Sequence, residues 1–202
     1  MIHALVLAAG ESRRMRMPKP LLRFGDTTFL EQIVAVLRRS SVDAITVVLG
    51  ARADLIRASI DLAGTSVVVN EDYHRGQLSS LIAGLKSVPA QTDAIVLCLV
   101  DNPLVSADVV NRLADGFAKT GKQIVLPVFN GRRGHPALFA RSLFDELLKA
   151  PMDKGARHVL SSNEDKILEV DVPDSGVLTS IDTPEDYRSS FGAEPQVILK
   201  KP

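Results

Sequence analysis

The sequence predicts an α/β fold in three layers: a mostly parallel sheet, helices on both faces, and an antiparallel insertion. Two observations predict the layers. Short apolar runs rich in Val, Ile and Leu recur along the 202 residues with little polar alternation, as strands covered on both faces do. The segments between them carry apolar residues at helical spacing. A third observation, the turn signal Asn130-Gly131 after the fifth run, predicts the insertion.

The five runs are Ile2 to Leu7, Ala44 to Leu49, Ser66 to Val69, Ala94 to Val100 and Gln123 to Phe129. Phe29, Leu30, Ile33, Val34 and Leu37 mark one helix, and Val109, Val110, Leu113, Ala114 and Phe117 another, capped at Ser106. Ser79 to Val88 forms a third. After the turn, a short strand over Ala137 to Phe139 pairs back, and a helix follows from Ser142 to Lys149. Ile167 to Val172 and Val177 to Ser180 read as two closing strands. The last helix starts near Thr183-Pro184, with proline in the first turn where its missing N–H costs nothing. No repeat or linker divides the chain, so residues 1–191 are expected to form a single domain and residues 192–202 a tail. Within the tail, Val197-Ile198-Leu199 either docks on the body or frays.

Composition narrows the function. Apolar residues make up 46% of the chain, enough for a real core and too many for global disorder. Lys plus Arg equals Asp plus Glu at 24 each, which gives no electrostatic case for nucleic acid or an anionic membrane as partner. No run approaches the ~20 apolar residues of a membrane span, and the N-terminus lacks the basic start and long apolar run of a signal peptide. A cytoplasmic location is expected. The single cysteine, Cys98, lies within an apolar run and reads as a core residue.

Ligands of open α/β sheets bind beyond the carboxyl ends of the strands. The first such end is Leu7-Ala8-Ala9-Gly10-Glu11-Ser12-Arg13-Arg14-Met15-Arg16-Met17-Pro18-Lys19, which joins small residues to four basic side chains. Small residues let backbone N–H groups approach a phosphate, and Arg and Lys add charge-assisted hydrogen bonds. The stretch matches neither the Walker pattern G-x-x-x-x-G-K-[ST] nor the dinucleotide pattern G-x-G-x-x-G. On charge alone, a solvated basic loop is an equal alternative.

This stretch resembles the nucleotide-binding loop of the MobA-like nucleotidyltransferases, and within them looks most like the MocA-type molybdenum-cofactor cytidylyltransferases. Other segments resemble the family in the same order along the chain: Asn70 with Gly76-Gln77-Leu78-Ser79-Ser80-Leu81, Val100-Asp101-Asn102-Pro103, Gly134-His135-Pro136, Asp153-Lys154-Gly155-Ala156-Arg157, and Ile181-Asp182-Thr183-Pro184-Glu185-Asp186. Each alone is weak; six in order are specific. The resemblance implies a Rossmann-like nucleotidyltransferase fold and transfer of a nucleoside monophosphate from a triphosphate to a phosphorylated acceptor, with release of pyrophosphate.

It also implies roles. Leu7, Ala8, Ala9, Gly10, Ser12, Arg14 and Lys19 hold the triphosphate, while Asn70, Gly76, Ser79 and Ser80 close over base and ribose. Arg14, Lys19 and Asp101 are the catalytic group. Asp101 and Asp182 bind Mg²⁺, for which Mn²⁺ can substitute; a cap of the last helix is the alternative for Asp182, and both roles can hold together. Asn102, His135, Lys154 and Arg157 face the acceptor, with Lys154 and Arg157 one helical turn apart. For His135 a local hairpin contact is the alternative, and for Lys154, Arg157, Arg132 and Arg133 a solvated face. The form Leu-Ala-Ala-Gly points to CTP, the methyl of Ala9 narrowing the floor under the base; the resemblance implies molybdopterin or the molybdenum cofactor as acceptor and a molybdoenzyme as protein partner. Arg16, Asn102 and Met152 depart from the family's Gly, Gln and Gly. The alternatives are a sugar-phosphate or alcohol-phosphate nucleotidyltransferase, and a nucleotide-binding regulatory or maturation module without turnover.

Overall fold

The computed structural model describes residues 1–199. Its strands are β1 (Ile2–Leu7), β2 (Arg23–Phe24), β3 (Thr27–Thr28), β4 (Ala44–Leu49), β5 (Ser66–Val69), β6 (Ala94–Leu99), β7 (Ile124–Phe129), β8 (Arg132–Arg133), β9 (Ala137–Ala140) and β10 (Ile167–Asp171). Its helices are α1 (Phe29–Arg38), α2 (Ala53–Ser59), α3 (Gln77–Ser87), α4 (Ala107–Thr120), α5 (Phe144–Lys149), α6 (Ala156–Ser162) and α7 (Pro184–Phe191). The main sheet runs β10-β7-β9-β6-β1-β4-β5, with β8 paired to β7; β2 and β3 form a separate hairpin. Strand β9 is antiparallel to both β6 and β7 and is the expected insertion. The pairs β1–β4, β1–β6, β4–β5 and β7–β10 are parallel.

The apolar runs are strands because both faces are covered. In β1, Ala4 and Val6 pack with α1, α2, α4 and α7, while Leu5 and Leu7 pack with α3, α5 and α6. Cys98 lies in the first of these clusters, and its burial pushes the thiol up to about 12, so it is an inert packing residue at neutral pH. No helix among the described residues is long and apolar enough to cross a membrane.

Chain order explains where a site forms. From β1 the chain steps outward to β4 and β5, then returns across β1 to β6. The gap between the ends of β1 and β6 is the switch point where parallel sheets open a crevice. Phe24, Phe29, Tyr187 and Phe191 hold α7 beside it. Phe29 stacks on Tyr187 at 6.0 Å between ring centres, and the Tyr187 hydroxyl donates to the Arg23 carbonyl at 2.8 Å. The tail docks here too: Arg23 N–H donates to Gln196 O at 2.8 Å, and Ile198 N–H to Leu21 O at 2.9 Å.

Three expectations need correction, and a fourth, the cap at Ser106, holds in position only. Val177 to Ser180 is not a strand: Val177 and Leu178 complete a short 3₁₀ turn, Ser175–Leu178, which Thr179 caps. The Asp174 side chain accepts from Gly176 N–H at 2.8 Å and bends the chain before the apolar residues. Lys154 is not on a helix with Arg157; its N–H bonds Pro151 O in a turn, and α6 begins at Ala156. Ser106 occupies the cap of α4 without a side-chain capping bond. Asp182 does not cap the last helix: Thr183 does, accepting from Asp186 N–H at 3.2 Å while Asp186 accepts from both Asp182 and Thr183 N–H. Thr183→Ala is therefore expected to cost about 1 kcal/mol of stability in urea unfolding. An unchanged midpoint would contradict that role.

Candidate active site

The crevice is an open cleft of about 740 Å³. Its walls are the loop after β1 (Leu7, Ala9 to Arg14 and Lys19), the start of α3 with the turn before it (Tyr73, His74, Gly76, Gln77, Ser80), the end of β6 (Leu99 to Asn102), and His135, Arg157, Ser180 and Asp182.

The β1 loop is built to receive an anion. Ala8 N–H is committed to the sheet through Val48 O at 2.9 Å, so Ala8 is not a phosphate donor as expected. The N–H groups of Gly10 to Arg13 meet no acceptor among the described residues. Ser12 folds the loop: its hydroxyl accepts from Lys19 N–H at 3.1 Å and its carbonyl from Arg16 N–H at 2.9 Å. A Cβ on Gly10 would meet nothing within 4 Å, so the cleft and not the fold favours glycine there. Ala9 is 2% exposed, and its methyl lies 2.9 Å from where a Cβ on Gly50 would stand; it packs against Gly50 and shows the cleft only a small part of its surface. Arg16 is exposed, does not line the cleft and has φ +61°, a conformation that favours the glycine of the family pattern. It neither crowds nor supplements the anion site.

Two carboxylates close the other side. Ile181 N–H donates to Asp101 O at 2.8 Å, which brings Asp182 beside Asp101 although 81 positions separate them (182 − 101). Lys19 Nζ lies 2.5 Å from Asp182 Oδ1 and 3.3 Å from Asp101 Oδ2, and Arg14 lies 3.1 Å from Asp182 Oδ2. Burial pushes the Asp182 carboxyl upward, but the bond and charge of Lys19, with Arg14, outweigh it and hold the group below the usual carboxylate range. Asp101 Oδ1 is buried without a partner. Two convergent carboxylates, one with an unsatisfied oxygen, fit a hard divalent cation that takes one or two carboxylates plus phosphate oxygens.

His135 sits at the junction with a second cleft of about 480 Å³. Its N–H donates to Val177 O at 2.8 Å, and its Nδ1 is buried without a partner. Burial lowers its pKa, with Asp101 opposing and Arg157 reinforcing, so the ring is neutral at pH 7. The second cleft has an apolar floor, including Leu97, Leu126 and Phe139, and a rim of Arg133, Lys154 and Arg157. Arg133 is already paired to Glu164 and Glu169, which leaves Lys154 and Arg157 as the rim cations without an ion-pair partner among the described residues.

Other expected residues have structural work. Asn70 donates to Ser79 Oγ at 2.9 Å and Ser80 Oγ at 3.1 Å and accepts from Asp72 N–H; it braces the turn before α3, and neither it nor Ser79 lines the cleft. Asn102 donates to Thr179 O at 2.7 Å, fastening the 3₁₀ turn to β6. Sequence reasoning missed Tyr73, His74 and Ser180 at the cleft wall. Tyr73 and His74 were signalled only by their place after β5, and Ser180 by its place just before Asp182.

The sequence model of the MobA-like NTP transferase domain matches residues 4–167, four-fifths of the chain, and takes in every strand in full except β1, which begins at Ile2, and β10, of which it reaches only Ile167. The chain belongs to the MobA-like NTP transferase family. It is similar to the molybdenum cofactor cytidylyltransferase of Escherichia coli K12 (27% identical, 92% of this chain and 93% of that one) and to the nicotine blue oxidoreductase of Paenarthrobacter nicotinovorans (28%, 93% and 95%). Among solved structures it matches Rv0371c of Mycobacterium tuberculosis H37Rv with a TM-score of 0.86 at 36% identity, covering 95% of this chain and 97% of that one. A manganese complex of Rv0371c matches with a TM-score of 0.82 at 34% identity, covering 95% and 98%. This MobA-like protein is accordingly a nucleotidyltransferase, and five of the six short motifs that carry the resemblance lie within the matched residues.

Proposed function

We propose that this MobA-like nucleotidyltransferase is a cytoplasmic, Mg²⁺-dependent enzyme that transfers CMP from CTP to the phosphate of molybdopterin or its molybdenum cofactor and releases pyrophosphate. The observation that carries this is the meeting of two clefts at His135 and Arg157, beside Asp101. The first offers free N–H groups and cations for a triphosphate. The second offers an apolar floor that suits a flat ring system better than a polyhydroxylated sugar, with Lys154 and Arg157 for an anionic end.

The chain's own groups account for the positioning. The Gly10 to Arg13 amides hold the triphosphate, and Arg14 and Lys19 offset its charge. Arg157 aims the acceptor phosphate at the α-phosphorus, and neutral His135 adds a hydrogen bond without adding charge. Asp101 and Asp182 would hold Mg²⁺, which supplies charge neutralisation on the attacking and leaving oxygens; the manganese complex of the M. tuberculosis protein supports Mn²⁺ as a substitute. CTP is favoured by Leu-Ala-Ala-Gly and by the cytidylyltransferase relative. Handing over the product gives a molybdoenzyme as the protein partner.

The test is pyrophosphate release with Mg²⁺, each of CTP, GTP, ATP and UTP, and molybdenum cofactor against sugar-phosphate acceptors. Release with CTP and the pterin cofactor is expected, by a margin of about tenfold or more over GTP. A preference for GTP would overturn the donor, and release only with a sugar phosphate would overturn the acceptor.

A further inference from the structure

Lys19 stands in an unexpected place for a triphosphate ligand. Its ammonium bridges Asp182 Oδ1 and Asp101 Oδ2, its side chain is 10% exposed, and with Arg14 it neutralises the carboxylate pair charge for charge. A divalent cation entering between the same carboxylates meets the full repulsion of that ammonium at contact distance in a partly desolvated place. The ammonium can be withdrawn without unfolding anything. Its backbone is pinned at both ends, Lys19 N–H donating to the Ser12 hydroxyl and Lys19 O accepting from Leu22 N–H at 3.1 Å, so only the side chain has to turn toward the adjacent anion loop.

We infer that Lys19 is an exchangeable counter-ion. It fills the carboxylate pair in the nucleotide-free protein and leaves it for the triphosphate, which makes metal affinity conditional on bound nucleotide. By reciprocity, metal strengthens nucleotide binding by the same factor. This rests on the carboxylate pair being the metal site, as proposed above. It gives Lys19 a role in ordering the binding steps in addition to holding phosphate.

The experiment is Mn²⁺ binding to the nucleotide-free protein, followed by loss of the free-ion EPR signal, in wild type, Lys19→Met and the double variant Lys19→Met/Asp101→Asn. Lys19→Met is expected to bind Mn²⁺ about tenfold or more tighter than wild type, although it removes a residue needed for turnover. The double variant is expected to lose that gain. Lys19→Gln provides the same reading if the methionine variant does not fold. Binding in Lys19→Met no tighter than in wild type, yet weakened by Asp101→Asn, would overturn the counter-ion role and leave the metal site standing. Equal tight binding in the single and double variants would overturn the metal site itself, and the counter-ion role with it.

Discussion

Asp101→Ala is expected to lower turnover by about 10³-fold or more while the protein stays folded. The carboxylate lies where Lys19, Asp182 and the unsatisfied Asp101 Oδ1 converge, so its removal takes away half of the anionic pair that faces the phosphates. Stability is largely spared for a separate reason. The bond that ties β6 to the approach of α7 runs from Ile181 N–H to the Asp101 backbone carbonyl, which the substitution keeps. Lys19 also retains Asp182 as a partner, so no buried cation is stranded. The unfolding midpoint should move by less than the equivalent of about 1 kcal/mol. Turnover near the wild-type rate would refute the role of Asp101, whatever the stability.

Gly134→Ala has the largest expected effect on the fold around the site. A Cβ there would stand 2.4 Å from Val177 O and 2.8 Å from Val177 C, backbone atoms that cannot swing aside. Gly134 N–H meanwhile donates to Pro127 O at 2.8 Å, which holds the residue to β7. The 3₁₀ turn must therefore move away, and with it the Val177 carbonyl that receives His135 N–H. A loss of about 2–3 kcal/mol is expected in urea unfolding. Displacement of His135 should also raise the acceptor KM more than the nucleotide KM, because the Val177 carbonyl holds His135 and, among the described residues, accepts no hydrogen bond from the β1 loop. A wild-type midpoint with unchanged acceptor KM would show that His135 is positioned by something else.

The layers were legible because strands covered on both faces must be apolar throughout. The runs containing Leu5, Val47 and Val96 carry that mark, and the strand ends then locate the crevice. The turn at Val177 misled for a related reason. Its residues are apolar because the turn is packed, not because it is a strand, and Asp174 and Gly176 are the residues that should have been read as a bend. The family resemblance named the loop, the two aspartates and His135, and the structure gathers all of them in one cleft. It assigned Asn70 and Ser79 to the base and ribose, but their polar atoms are spent on each other and on the turn before α3. The partners of Lys19 were hidden too, since they lie 82 and 163 residues along the chain and meet only through the strand order. Short α2 lay outside the periodic pattern because only Ala53, Ile56 and Ser59 are buried in it.

The central claim is that the two adjoining clefts join a nucleotide to a phosphorylated acceptor. It is tested most directly by following α-³²P-labelled CTP with Mg²⁺ and molybdenum cofactor. The account predicts label in a cofactor-linked product, formed in step with pyrophosphate and lost in Asp101→Ala. Nucleotide binding without labelled product or pyrophosphate, with any acceptor, would contradict it and identify a nucleotide-binding module without turnover.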